Sequence, residues 1–367
     1  MTEYRRNKMA DASSKAAQTL QHFWPDLAGK ELQSDVYIQL LQFVKTKLKA
    51  IHENHGPEEP LSWGEWLVVV QEVVASAAKP RREIQESIRQ KISAAEASDT
   101  AISRAINAAA GLWLTLDIRS PSHHLPLGSV LCWREEQSLS ALVEQFFHAN
   151  NTPSRKGKTA TTQLNSNLTM SHLIVNYNFG IIWTHNLADH LTIDWDHKKV
   201  TVYEHKICLA NHLRLQDQGV LPVDLTKEAI DTMNLLFPFD HTPTEALLRK
   251  HNVYFYGLGY YGRQRNLDVA KYPYWGSRIE ELNRVLDEPP IGLHQLSLDR
   301  SQKNLLQFAT FWIAAGVAVL TVITFALGVY AAIYTKKQYD LGVLQYELSL
   351  AQACEAEDAV KLPRFCS

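Results

Sequence analysis

The segment WTHNLADH holds the densest group of side chains that could do chemistry, because it places His185, Asp189 and His190 close together in the chain. Two imidazoles and a carboxylate suit Zn²⁺ and could also serve in acid–base catalysis. Histidine ligands on one helix face are usually four residues apart, whereas His185 and His190 are five apart. We therefore expect structural roles in a turn, with Asp189 accepting from backbone amides, and predict no metal or other cofactor. The three remain the candidates for a metal site.

A second motif, GLGYYG, matches the glycine spacing of a dinucleotide-binding loop at Gly257, Gly259 and Gly262. In that motif the third glycine opens a helix whose amides receive the pyrophosphate, but here the chain reaches Pro273 without a helical pattern. We predict an aromatic loop instead. The sequence also lacks a nucleophile elbow, a phosphate-binding loop, a zinc-protease helix motif and the kinase motifs, so no catalytic residue is predicted.

The charge balance argues against a nucleic-acid partner. The chain has 37 Lys and Arg residues against 39 Asp and Glu residues, whereas phosphate-binding proteins usually have a basic excess or a basic face. A membrane-held nucleic-acid binder stays a third hypothesis, which would require strongly salt-dependent retention on DNA or RNA.

The strongest pattern is an apolar stretch near the C-terminus. No charged residue lies between Lys303 and Lys336, and the segment from Phe308 to Tyr334 is long enough to cross a bilayer as a helix. No charge lies inside it, which argues against an ion pathway. We predict one transmembrane helix over residues 308–334 and an amphipathic tail over residues 335–367, with the lipid bilayer as a partner.

The orientation of the chain in the membrane is predicted from weaker signals. The N-terminus has charges but no apolar signal region, so we expect an integral membrane protein with a cytosolic body. Cys132 and Cys208 are then reduced core thiols, while Cys354 and Cys366 lie in the oxidising compartment and could form a disulfide. The opposite orientation would leave that last pair as free thiols. The membrane and organelle are not indicated.

Small residues could bring two copies of the span together. Thr324, Gly328 and Ala332 recur every four residues, a spacing that lets helix backbones approach closely in a membrane. Self-association is therefore one expected interaction, and other proteins are the remaining expected partners.

Apolar periodicity predicts a helical region over residues 1–99 and an α+β body over residues 100–300, with a polar insert near residues 150–163. Ser62 or a neighbour is expected to cap one helix, and residues around Asp196 to connect a β-hairpin. The expected fold class is mainly α, with short strands, one hairpin and a C-terminal transmembrane helix. The order of elements between Ser138 and Glu204 is also that of a winged-helix module, but its would-be recognition helix contains no Lys or Arg.

The blocks WTHNLADHL and LLFP, with the late helix and apolar span, resemble a group of uncharacterised filamentous-fungal membrane proteins over about residues 112–325. The resemblance implies a fungal, membrane-anchored protein and no particular activity. Our leading hypothesis is a single-pass anchored interaction or scaffold module. The alternative is a membrane-tethered enzyme, such as a metal-dependent hydrolase, that uses His185, Asp189 and His190.

Overall fold

The computed structural model divides into two compact units, Met1–Ile291 and Gly292–Ser367. It describes residues 2–27, 29, 31–53, 61–92, 98–121, 129–150, 163–215, 219–255, 265–288 and 305–355. The first unit contains helices and short strands, and the second contains one long apolar helix. The predicted fold class, mainly helical with a small α+β body and a long C-terminal apolar helix, is confirmed.

The helices of the first unit are α1 (Thr2–Phe23), α2 (Ile38–Glu53), α3 (Trp63–Ala75), α4 (Arg81–Lys91), α5 (Asp99–Leu114), α6 (Leu139–Asn150), α7 (Met170–Tyr177), α8 (Lys206–Arg214), α9 (Val223–Leu236), α10 (Thr242–Lys250) and α11 (Gly276–Val285). Ser62 caps α3, as expected, and it also forms a capping box with Glu65. Ser98 and Thr169 cap α5 and α7 in the same way, by accepting from an amide in the first turn. Local sequence therefore sets where these helices begin.

The strands form two small sheets. They are β1 (Ile118–Arg119), β2 (Leu131–Cys132), β3 (Gly180–Thr184), β4 (Ile193–Asp194) and β5 (Lys199–Tyr203). β1 pairs in parallel with β2, and the second sheet has the order β3-β5-β4. The antiparallel pair β4–β5 is the predicted hairpin, whereas β3 pairs in parallel with β5. This mixed sheet differs from the antiparallel sheet of a winged-helix module.

The hydrophobic core of the first unit continues from the helices before residue 99 into the α+β body. Leu20 on α1, Trp66 on α3, Trp113 on α5 and Val202 on β5 all belong to one buried cluster. The buried Tyr37 hydroxyl also donates to Oδ1 of Asn211 on α8 at 3.1 Å. The N-terminal helices thus pack as part of the same unit as the body.

The described part of the second unit is α12 (Leu305–Glu355), which runs without a break through the predicted span ends Phe308 and Tyr334. Its apolar part reaches a mean hydropathy of 2.2, and its large apolar side chains are exposed. By length and composition, this helix could cross a membrane. It also continues past Lys336 through most of the segment predicted as an amphipathic tail.

Candidate functional site

A cleft of about 340 Å³ lies between α2, the C-terminal half of α5, the start of β1 and the turn after β3. Its apolar wall is formed by Phe43, Ile51, Ala108, Leu112, Leu116 and Ile118. Its polar groups come from Lys47, Asn107, Thr115, Asp117, Thr184, His185, Asn186 and Asp189. An apolar concavity with a few polar groups is the usual form of a ligand-binding site, and this volume lies within the usual range.

The parallel pairing of β3 with β5 brings His185 beside Glu204 and His205. Thr184 pairs with Tyr203 at the carboxyl ends of the two strands, and the Glu204 amide donates to the Thr184 carbonyl at 3.1 Å. His185 Nδ1 lies 2.5 Å from Glu204 Oε1 and 2.8 Å from His205 Nε2, and the latter two atoms are 3.8 Å apart. Among the described residues, these three form the one group of His, Cys, Asp or Glu side chains whose ligand atoms lie close enough to hold a metal ion.

The three side chains differ in burial. The exposed fraction is 51% for His185, 11% for Glu204 and 1% for His205. The Phe43 ring stacks on His185 with centroids 4.4 Å apart, and the two histidine rings meet edge to edge, with centroids 5.0 Å apart and planes 13° apart. Burial, and secondarily His185, lowers the pKa of His205 well below its ordinary value, so this imidazole is neutral. The cluster thus extends from the surface into the core.

Of the residues predicted as metal candidates, His185 belongs to this cluster and Asp189 lines the cleft, but His190 lies elsewhere. The carboxylate of Asp189 accepts from the side-chain amide of Asn186 at 3.0 Å, and no backbone amide of the described residues donates to it. The buried His190 accepts from a β5 amide at Nδ1, so its Nε2 carries the hydrogen and donates to Thr232 Oγ1 at 2.7 Å. Burial lowers the pKa of His190 to about 3. Its role is structural, and the structure does not bring the three candidates together.

A polar network lies behind the cleft wall. The Thr115 hydroxyl bonds the Tyr203 hydroxyl and lies 3.8 Å from the sulfur of Cys208. Burial raises the pKa of Cys208 to about 12, so this thiol is protonated and unreactive. Cys208 and the half-buried Cys132 are free thiols, in agreement with the prediction.

Sequence reasoning missed Glu204 and His205 as partners of His185. Each of two strand-like runs, GIIWT and KVTVY, is followed within two residues by a histidine. That repeat indicates that the two histidines are neighbours only if the two runs pair as parallel strands. The hairpin pattern predicts the β4–β5 pair alone, and that pair does not bring the two histidines together.

Several sequence predictions fall outside the described residues: the loop at Gly257–Gly262, nearly all of the polar insert, and Cys366. Cys354 is disulfide-bonded. Its predicted pairing with Cys366 stays a prediction, because the second cysteine is not among the described residues.

Comparison with known proteins provides no relative. No protein-family model, curated protein or solved structure matches this chain. The resemblance to fungal membrane proteins therefore stays a prediction.

Proposed function

We propose that this chain is a single-pass membrane-anchored interaction module, whose first unit binds a partner protein in the cleft. The observation that carries the anchor is α12, because it is a continuous helix with no charge between Lys303 and Lys336 and with exposed apolar side chains. Exposed side chains of this kind are stable in contact with lipid but unfavourable in water. The polar Arg, Lys and Asp residues expected of an ion pathway do not occur within that stretch.

Cysteine chemistry supports a cytosolic first unit. Cys132 and Cys208 in that unit are free thiols, whereas Cys354 near the end of α12 is disulfide-bonded. Disulfides persist in oxidising compartments and are rare in the cytosol. A chain that crosses the membrane once, with the first unit in the cytosol, accounts for both observations.

The cleft supports the interaction function. Its apolar wall can receive an apolar side chain of a partner, and Asn107 and the 40% exposed Asp117 can supply hydrogen-bonding groups.

We do not propose a hydrolase built on His185, Asp189 and His190, because both ring nitrogens of His190 are engaged in the core. Self-association through Gly328 and its neighbours also stays a prediction.

Membrane extraction tests the anchor. We expect the full chain to stay in the membrane pellet at alkaline pH, and the double variant Val319→Arg, Ile323→Arg to be released. Each arginine at the centre of a span costs about 2.5–3.5 kcal/mol. The control variant Leu344→Arg, Leu348→Arg carries the same charges on exposed positions of the same helix beyond Lys337 and should stay in the pellet. Release of the unsubstituted chain would contradict anchoring.

The orientation is read from the same membranes. In sealed microsomes, protease should remove an N-terminal tag and leave a C-terminal tag intact. Protection of the N-terminal tag would contradict the cytosolic first unit without contradicting the span.

Site-specific photocrosslinking tests the cleft. A photoreactive amino acid at Ile51, which is half-buried in the cleft wall, should yield a discrete protein adduct in cells. The same amino acid at Val175, which is 52% exposed on α7 and does not line the cleft, should yield little. In the Ile51 protein, the further substitution Ala108→Trp, which fills the cleft, should remove the adduct. Equal adducts at Ile51 and Val175, or an adduct that survives filling, would contradict the proposal.

A further inference from the structure

His185, Glu204 and His205 form a cluster whose hydrogen bonds cannot all be satisfied by the protein alone. An imidazole nitrogen carries either one hydrogen or one lone pair, and a carboxylate only accepts. His185 Nδ1 nevertheless lies within hydrogen-bond distance of both Glu204 Oε1 and His205 Nε2. If His185 Nδ1 carries a hydrogen and donates it to Glu204 Oε1, that hydrogen is not available to His205 Nε2. If His205 Nε2 donates to His185 Nδ1 instead, a lone pair of His185 faces the carboxylate of Glu204.

The geometry points to a divalent cation, and we propose that His185 Nδ1, Glu204 Oε1 and His205 Nε2 bind a zinc-like ion. A cation accepts a lone pair from each of the three atoms at once and neutralises the mostly buried carboxylate. Tetrahedral coordination with bonds of about 2.0–2.1 Å separates neighbouring ligand atoms by about 3.3 Å. The observed separations of 2.5, 2.8 and 3.8 Å lie on both sides of that value, so the three side chains would rotate to a more even spacing when the ion binds.

The fold holds these ligands on rigid elements. His185 directly follows β3, and Glu204 and His205 directly follow β5, at the edge where parallel strands present their carboxyl ends. Phe43 stacks on one face of the His185 ring. Ligands held in this way lose little conformational freedom when an ion binds.

The ion would face the cleft. His185 lines the cleft and is half exposed, whereas Glu204 and His205 are enclosed on the other side. Solvent therefore reaches the ion past His185, and its fourth coordination position opens in that direction. Two histidines and one glutamate with a free fourth position suit Zn²⁺, and an oxygen or nitrogen of a molecule in the cleft could occupy that position. This site does not depend on the proposed interaction function.

Cobalt titration of the full chain in detergent tests the proposal. After chelator treatment, we expect one Co²⁺ per chain, with visible absorption bands of a tetrahedral site that disappear when Zn²⁺ is added. His185→Ala and Glu204→Gln should each weaken binding by more than about 100-fold, the upper end of the loss caused by removing a mere second-shell partner. Elemental analysis of the Zn²⁺-loaded protein provides an independent stoichiometry.

His197→Ala is the matched control. His197 also pairs with a carboxylate, with its Nδ1 2.8 Å from Asp194 Oδ2, but no third ligand joins this exposed pair among the described residues. This variant should bind one ion with unchanged affinity. Circular dichroism and the Tm without metal show whether each variant folds. Because the side chain of His185 is half exposed, His185→Ala should disturb folding least among the ligand variants. Failure of the unsubstituted chain to bind Co²⁺ and Zn²⁺, or unchanged binding by folded His185→Ala and Glu204→Gln, would overturn the proposal.

Discussion

Gly111 shows how one residue shapes the cleft wall. It lies near the end of α5, where a Cβ atom would approach the backbone oxygen of Leu116 to 2.9 Å. The chain reverses there through Thr115, which has a φ of 50°, and the Leu116 amide donates to the Gly111 carbonyl at 3.1 Å. Because the obstructing atom is backbone, it cannot rotate away. Glycine is therefore required for the wall formed by α5 and β1.

We expect Gly111→Ala to lower the free energy of unfolding by about 1–3 kcal/mol, the usual cost of forcing an extra methyl group into a packed site. Gly64→Ala on α3 is the control, since nothing lies within 4 Å of its added Cβ. That variant should gain up to about 1 kcal/mol from helix propensity. Denaturant unfolding followed by tryptophan fluorescence compares them, and equal stability would contradict the packing argument.

The site residues show what local sequence could not reveal. The five-residue spacing of His185 and His190 correctly argued against a shared helix face, but the partners of each lie far along the chain. His205 reaches His185 through strand pairing, and Thr232 reaches His190 through the packing of α9. Such contacts depend on tertiary structure, which spacing within one segment does not report.

At the scale of elements, buried polar groups join helices that are distant in sequence. Glu228 on α9 is buried, and its oxygens accept from the Tyr274 amide at 2.8 and 2.9 Å and from the Trp275 amide at 2.6 Å. These amides precede α11 and would otherwise be unsatisfied. Burial raises the pKa of Glu228 to about 7, although the two amides act in the opposite direction. One side chain thus fixes the start of α11 against α9 and is itself titratable near neutral pH.

Elements with local signals were predictable, and those that depend on distant pairing were not. Apolar periodicity located the helical region before residue 99, Ser62 marked a helix start, and the polar turn at Asp196 marked the hairpin. The parallel pairs β1–β2 and β3–β5 have no such signal, because parallel strands are joined by long connections rather than by a recognisable turn. The candidate site lies at one of these unpredicted pairs.

At the scale of the whole molecule, α12 is longer than a bilayer requires. Its 51 residues span about 76 Å, whereas the hydrocarbon core is about 30 Å thick. A single span over residues 308–334 would therefore leave several helical turns beyond Tyr334, where Leu341, Leu344 and Leu348 remain exposed. The part of the helix past Lys336 is available for contacts with a membrane surface or another chain.

The stability of the first unit depends on imidazoles that are buried without charge. Burial lowers the pKa of His190 to about 3 and that of His212, which bonds the Trp113 carbonyl at 2.9 Å, to about 4. Because histidine has an unfolded-state pKa of about 6.5, the unfolded chain binds more protons below that pH. Stability from these groups is present above pH 6.5 and is lost as the pH falls. Glu228 acts oppositely, since its contribution is present below about pH 4.5 and is lost as the pH rises through 7.

When the pH falls from 7 to 5, His190 and His212 should therefore each lower the free energy of unfolding by about 2 kcal/mol. Glu228 should raise it by about 2 kcal/mol over the same range. We expect the first unit to be less stable at pH 5, and His212→Gln to reduce this loss by about 2 kcal/mol because glutamine does not titrate. Unfolding free energies of the full chain in detergent at the two pH values measure the difference. His197→Gln, which replaces an exposed histidine, should leave the pH dependence nearly unchanged. If His212→Gln lost as much stability on acidification as the unsubstituted chain, His212 would have to be protonated in the folded state, which the burial of its ring opposes.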